Sequence, residues 1–86
     1  MLFFVKYRLK NEKLGNLAEE VRSGGLSIKA KHVFTSREDP FVGLTIWEAQ
    51  DQDEMTEILE KLGMFADISE TIPVMSAKDA QERIFR

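Results

Sequence analysis

Lys6 and Arg8 stand two residues apart in the run Leu2-Phe3-Phe4-Val5-Lys6-Tyr7-Arg8-Leu9. In an extended chain both side chains leave the same face, which they share with Phe4. Two cations beside an aromatic surface suit a compact carboxylate, with the charge gripped and the remainder of the ligand against an apolar wall. Phe4 and Trp47 are the candidate walls. The alternative use of Lys6 and Arg8 is to snorkel to a rim and form ion pairs there. Asp67 is the candidate acid/base: desolvation in a closed cavity would raise its pKa and suit it to moving a proton beside a carbonyl. In solvent it would be an ordinary strand-start aspartate. His32 is the only histidine, and no H-x-H or H-x-x-x-H spacing accompanies it, so it reads as a packed or rim residue rather than a metal ligand. With no cysteine there is no thiolate ligand or thiol nucleophile, and no G-x-S-x-G elbow is present. Neither a metal nor a cofactor is expected.

These residues need elements to position them. Residues 2–9 alternate with period two, which predicts a strand with Phe3, Val5, Tyr7 and Leu9 on one face. Asn11 can cap a helix in which Leu14, Leu17, Ala18 and Val21 form one stripe, and Ser23-Gly24-Gly25 ends it. That glycine pair follows a helix and precedes a strand, so it is turn chemistry rather than a phosphate cradle. A second strand is expected over 26–35, with the core-facing set left open between Val33 and Phe34. A polar turn ending at Pro40 leads to a third strand over 41–47. There Val42, Leu44 and Ile46 read as the core set, leaving Phe41 and Trp47 outside. Asp51 with Glu54 has capping-box spacing before the stripe Met55, Ile58, Leu59, Leu62, and Gly63 is the expected stop. A fourth strand over 65–74 places Asp67, Ser69 and Thr71 opposite Ile68 and Ile72, with Glu48 and Glu70 following the helix-facing parity. Ser76 caps a short final helix with Ala77, Ala80 and Ile84.

The order β-α-β-β-α-β with a tail helix predicts an α+β, ferredoxin-like sandwich: a four-stranded antiparallel sheet with two helices on one face. Eighty-six residues fit one domain spanning 1–86, which is small enough to gain from oligomerisation. The helices shelter one sheet face, and the other carries Leu2 and Phe4, so a homodimer or larger assembly with facing sheets is expected. Net charge is −3, and no basic-aromatic RNA-binding octamer occurs, so neither nucleic acid nor an anionic membrane is an expected partner. No signal peptide or membrane helix is apparent, which makes a cytoplasmic protein the default expectation.

Met1-Leu2-Phe3-Phe4-Val5-Lys6 resembles the first strand of the muconolactone isomerases. Glu54 through Leu62-Gly63-Met64-Phe65-Ala66-Asp67-Ile68 resembles their second helix and last strand. The resemblance implies a dimeric α+β barrel with a cavity between paired sheets, with Lys6 and Asp67 at matching positions. Those isomerases usually carry histidine where this chain has Phe4. Two functions follow as expectations. One is a small-molecule-binding or isomerase-like protein that acts on a small organic acid or lactone, with Lys6 and Arg8 binding it, Phe4 and Trp47 walling it, and Asp67 moving the proton. The other is a non-catalytic oligomeric interaction protein whose sheet–sheet interface is filled.

Overall fold

The computed structural model describes residues 1–24 and 30–85. Four strands, β1 (Leu2–Leu9), β2 (Ala30–Thr35), β3 (Val42–Glu48) and β4 (Ala66–Val74), form one antiparallel sheet in the order β2-β3-β1-β4. Between them run α1 (Leu14–Arg22), preceded by a 3-10 turn over Asn11–Lys13, and α2 (Gln52–Gly63); α3 (Ala77–Ile84) closes the chain. This is the expected α+β ferredoxin-like architecture. The expected start of the second strand at Leu26, with Ile28, and the turn glycine Gly25 lie outside the described residues.

Local chemistry sets the helix ends. The Asp51 carboxylate accepts the Glu54 amide N–H at 2.8 Å, and Ser76 Oγ accepts that of Asp79 at 3.1 Å, so each helix begins with one otherwise orphaned donor satisfied. α2 ends at Gly63, which is its last helical residue, and Met64 is the cap, in right-handed helical conformation. Gly24 takes a positive φ, 80°, where the chain leaves α1.

The core lies between the sheet and the helices. Phe3 and Val5 from β1 and Trp47 from β3 meet Met55, Ile58 and Leu62 from α2, with Phe65 beside them and Leu17 from α1 packed against the cluster. The face assignment of the third strand is therefore corrected. Trp47 is only 3% exposed and on the helix side, opposite Phe3, while Val42, Leu44 and Ile46 face away from the helices. Phe41 precedes the strand rather than belonging to it. The hydrogen bonding around Thr45 makes this parity stable. Its hydroxyl donates to Val5 O at 2.9 Å and accepts the Trp47 indole N–H at 2.7 Å, so both buried polar groups are satisfied. Gly43 completes the set, because the ring of Tyr7 occupies the space a Cβ there would need.

Burial of Tyr7 raises its phenol pKa above the ordinary 10.0 through desolvation. A phenol raised in the folded state contributes its full stability below the unfolded pKa and loses it as pH rises through the folded value. Tyr7 is the only tyrosine, so an ultraviolet titration reads it alone. The expected midpoint lies above that of the urea-unfolded chain, with stability falling above about pH 10; equal midpoints in the two states would contradict the burial.

Two register shifts re-aim residues. In β2 the shift falls between Ala30 and His32, making Lys31 the extra residue; Ala30 and Val33 lie on the helix side while His32 and Phe34 lie on the open side. In β4 Glu70 pairs with Lys6 and Ile68 with Tyr7, leaving Ser69 as the inserted residue, its hydroxyl donating to Lys6 O at 3.1 Å. Among the described residues no helix is long and apolar enough to cross a membrane.

Candidate functional site: the open sheet face

The register lays out the uncovered face as rows running across the strands. One row reads His32, Ile46, Phe4, Ile72; the next reads Phe34, Leu44, Lys6, Glu70. Glu48, Leu2 and Val74 lie at one end, and Val42, Arg8 and Asp67 at the other. The centre of the face is therefore apolar, built from Phe4, Leu44 and Ile46, with one cation set into it.

That cation is Lys6. Its side chain is half-buried, and its ammonium makes no hydrogen bond or ion pair with the described residues. Its β3 neighbour is Leu44. Arg8 stands differently. Its Nε lies 3.3 Å from Asp39 Oδ2, and its guanidinium sits 5.5 Å from the Phe41 ring centroid, so its charge is already partnered within the chain. Phe4 does line the open face beside Lys6. Trp47 does not, and its expected place in the wall is withdrawn: the indole is spent in the core.

Asp67 is placed away from Lys6. It is opposite Arg8 at the rim, its side chain 83% exposed, with Lys10 Nζ 3.9 Å away. The inserted Ser69 breaks the parity, so Asp67 and Thr71 do not share a face: Thr71 pairs with Val5 on the helix side, and Ile72 pairs with Phe4 on the open side. Glu48 and Glu70, expected to follow the helix-facing set, are both on the open face. Glu70, directly across from Lys6, is the carboxylate that sequence reasoning passed over.

The β2–β3 side holds a shallow groove of about 330 Å³ lined by Leu2, Lys31, His32, Ile46 and Glu48. Lys31 Nζ is 2.7 Å from Glu48 Oε2, and this hydrogen bond, with the lysine charge, holds the Glu48 carboxyl below its ordinary range. His32 stacks on Phe34 with ring centroids 6.3 Å apart and planes 15° from parallel. Among the described residues no group of three His, Asp or Glu side chains is arranged to hold a metal ion.

No family model and no curated protein matches this sequence. Two solved structures align with this chain. The 5-chloro-2-hydroxyhydroquinone dehydrochlorinase TftG from Burkholderia phenoliruptrix, solved in complex with 2,5-dihydroxybenzoquinone, aligns with TM-score 0.56 and 20% identity over 92% of this chain and 98% of that one. Protein Atu4242 from Agrobacterium tumefaciens aligns with TM-score 0.49 and 19% identity over 90% of this chain and 94% of that one. At 20% identity the likeness to TftG is one of fold.

Proposed function

We propose that the chain pairs through its open sheet face with a second copy and holds a compact organic anion between the two sheets, with Lys6 as the anion-binding group. The carrying observation is the Lys6 ammonium, which has no partner among the described residues, beside Phe4 and Leu44. Once that face is covered, the charge loses water, and a desolvated lysine needs an opposite charge beside it. A small carboxylate or an acidic hydroxyquinone supplies one, while Phe4, Leu44 and Ile46 offer the apolar surface for its ring. The quinone bound by TftG is a rational first probe. Arg8, partnered with Asp39, frames the rim of the cavity.

The finer reading is a muconolactone isomerase-type proton shift on a small organic acid or lactone. Such a shift needs a base beside the anion site, and Glu70, across from Lys6, meets that requirement better than Asp67 at the rim. The competing reading is an interaction protein in which partner side chains fill the interface and leave no room for a ligand.

The test is calorimetric titration of the wild-type protein and Lys6→Met with benzoate, muconolactone and 2,5-dihydroxybenzoquinone. A charge-assisted hydrogen bond contributes about 1.5–3 kcal/mol, so Lys6→Met should weaken binding roughly tenfold to a hundredfold. Wild-type protein that takes up none of the three, or a variant that binds as well as wild type, overturns the anion site.

A further inference from the structure

We propose that α3 of one copy docks in the β2–β3 groove of a second copy, closing that end of the ligand cavity. This rests on the sheet-to-sheet pairing proposed above and names a part of the partner without which the site stays open.

The final helix lacks a support of its own. At eight residues it is about 12 Å long, well short of the length at which helices hold without tertiary packing. Yet none of its residues is buried, and Ile84 and the following Phe85 are 71% and 80% exposed. Ala77, Ala80 and Ile84 fall at i, i+3 and i+7, one narrow apolar stripe. The chain's radius of gyration, 14.1 Å, exceeds the roughly 12 Å of a compact domain this long. The described residues leave this stripe uncovered.

The chain itself carries a matching surface. The groove offers Leu2 and Ile46 as an apolar floor, with the Lys31–Glu48 pair and His32 along its walls. On the helix, Lys78, Asp79, Glu82 and Arg83 flank the stripe, so charges of both signs on each surface can meet opposites on the other. Position decides which copy is covered. Val74 is the strand partner of Leu2, and α3 begins three residues later, so the helix leaves the sheet level with the groove. It leaves from the other edge, however: β4 and β2 are the outer strands, three strand spacings or about 14 Å apart. A twofold axis running parallel to the strands, between facing sheets, lays β4 of one copy over β2 of the other at the same level. Each helix then reaches the other copy's groove, and the exchange is reciprocal, as a closed dimer requires. The mode is an amphipathic helix in a groove.

Because the chain has no cysteine, single-cysteine variants give a clean test. Lys31→Cys and Ile84→Cys are purified separately, mixed at equal concentration, allowed to exchange and treated with a short bismaleimide. A covalent product joining the two different variants is the expected result, and it can only be intermolecular. Glu57→Cys on the exposed side of α2, mixed with Ile84→Cys, should give none. Sedimentation of the untreated proteins separates the two proposals: dimers that yield no 31–84 product overturn the docking of α3 and leave the sheet pairing intact, whereas lone subunits overturn both. Equal yield from the Glu57 control also overturns the docking.

Discussion

Phe4→Glu is expected to abolish self-association while leaving the subunit folded. Phe4 is at the middle of the apolar row between Ile46 and Ile72, on the face without helices. In a lone subunit a glutamate there points into water and costs little. Between two sheets it is a desolvated carboxylate, and in a twofold dimer two such charges enter one interface. The penalty is several kcal/mol; taking about 3 kcal/mol as a floor, the dimer dissociation constant should rise more than a hundredfold. Sedimentation velocity across the micromolar range, with circular dichroism to confirm the fold, reads both halves of this expectation. A variant that sediments like the wild type would show that the open face is not the contact surface, and a wild-type protein that is already a lone subunit would remove the pairing altogether.

Trp47→Ala should act on the other half of the molecule, lowering stability by about 4 kcal/mol. Trp47 packs in the core against the helices and donates its indole N–H to Thr45, so the truncation opens a cavity and removes a hydrogen bond at once. A chain of this length holds only about 4–13 kcal/mol in total, at roughly 0.05–0.15 kcal/mol per residue. The variant should therefore be largely unfolded in mild urea or at modestly raised temperature, as followed by far-ultraviolet circular dichroism. Had Trp47 formed the ligand wall, the same change would lower ligand affinity and leave the urea midpoint near that of wild type. The two outcomes separate the core assignment from the cavity assignment.

Period and capping were legible because they depend on neighbours in sequence. The alternation of residues 2–9, the Asp51–Glu54 and Ser76–Asp79 caps and the Met55–Leu62 stripe all survive as read, and together they are sufficient for the ferredoxin-like order. Facing was not legible in the third strand. Val42, Leu44 and Ile46 outweigh Gly43, Thr45 and Trp47 in hydrophobicity, so composition favours the wrong set. The actual choice depends on contacts far along the chain: Tyr7 needs the gap at Gly43, and Thr45 is tolerable inside only because Val5 O and the Trp47 indole satisfy its hydroxyl. The inserted residues were equally hidden. Nothing in Lys29-Ala30-Lys31-His32 or Ile68-Ser69-Glu70 marks one residue as extra, since that is decided by the partner strand. Hence Lys6, Phe4 and Asp67 lie on the face the sequence predicts, Asp67 at its exposed rim, while Trp47 and Glu70 lie on the face opposite to the one expected. The pairing of Lys31 with Glu48 left no trace in the sequence.

Ser69 works like an inserted letter in a two-letter code. Upstream of it, Ile68 is read into the core; downstream, Ile72 and Val74 are read onto the opposite face. Were Ser69 instead paired in regular alternation opposite Lys6, Thr71 and Pro73 would turn outward and Ile72 and Val74 inward. One inserted residue thus governs which surface the second half of β4 presents.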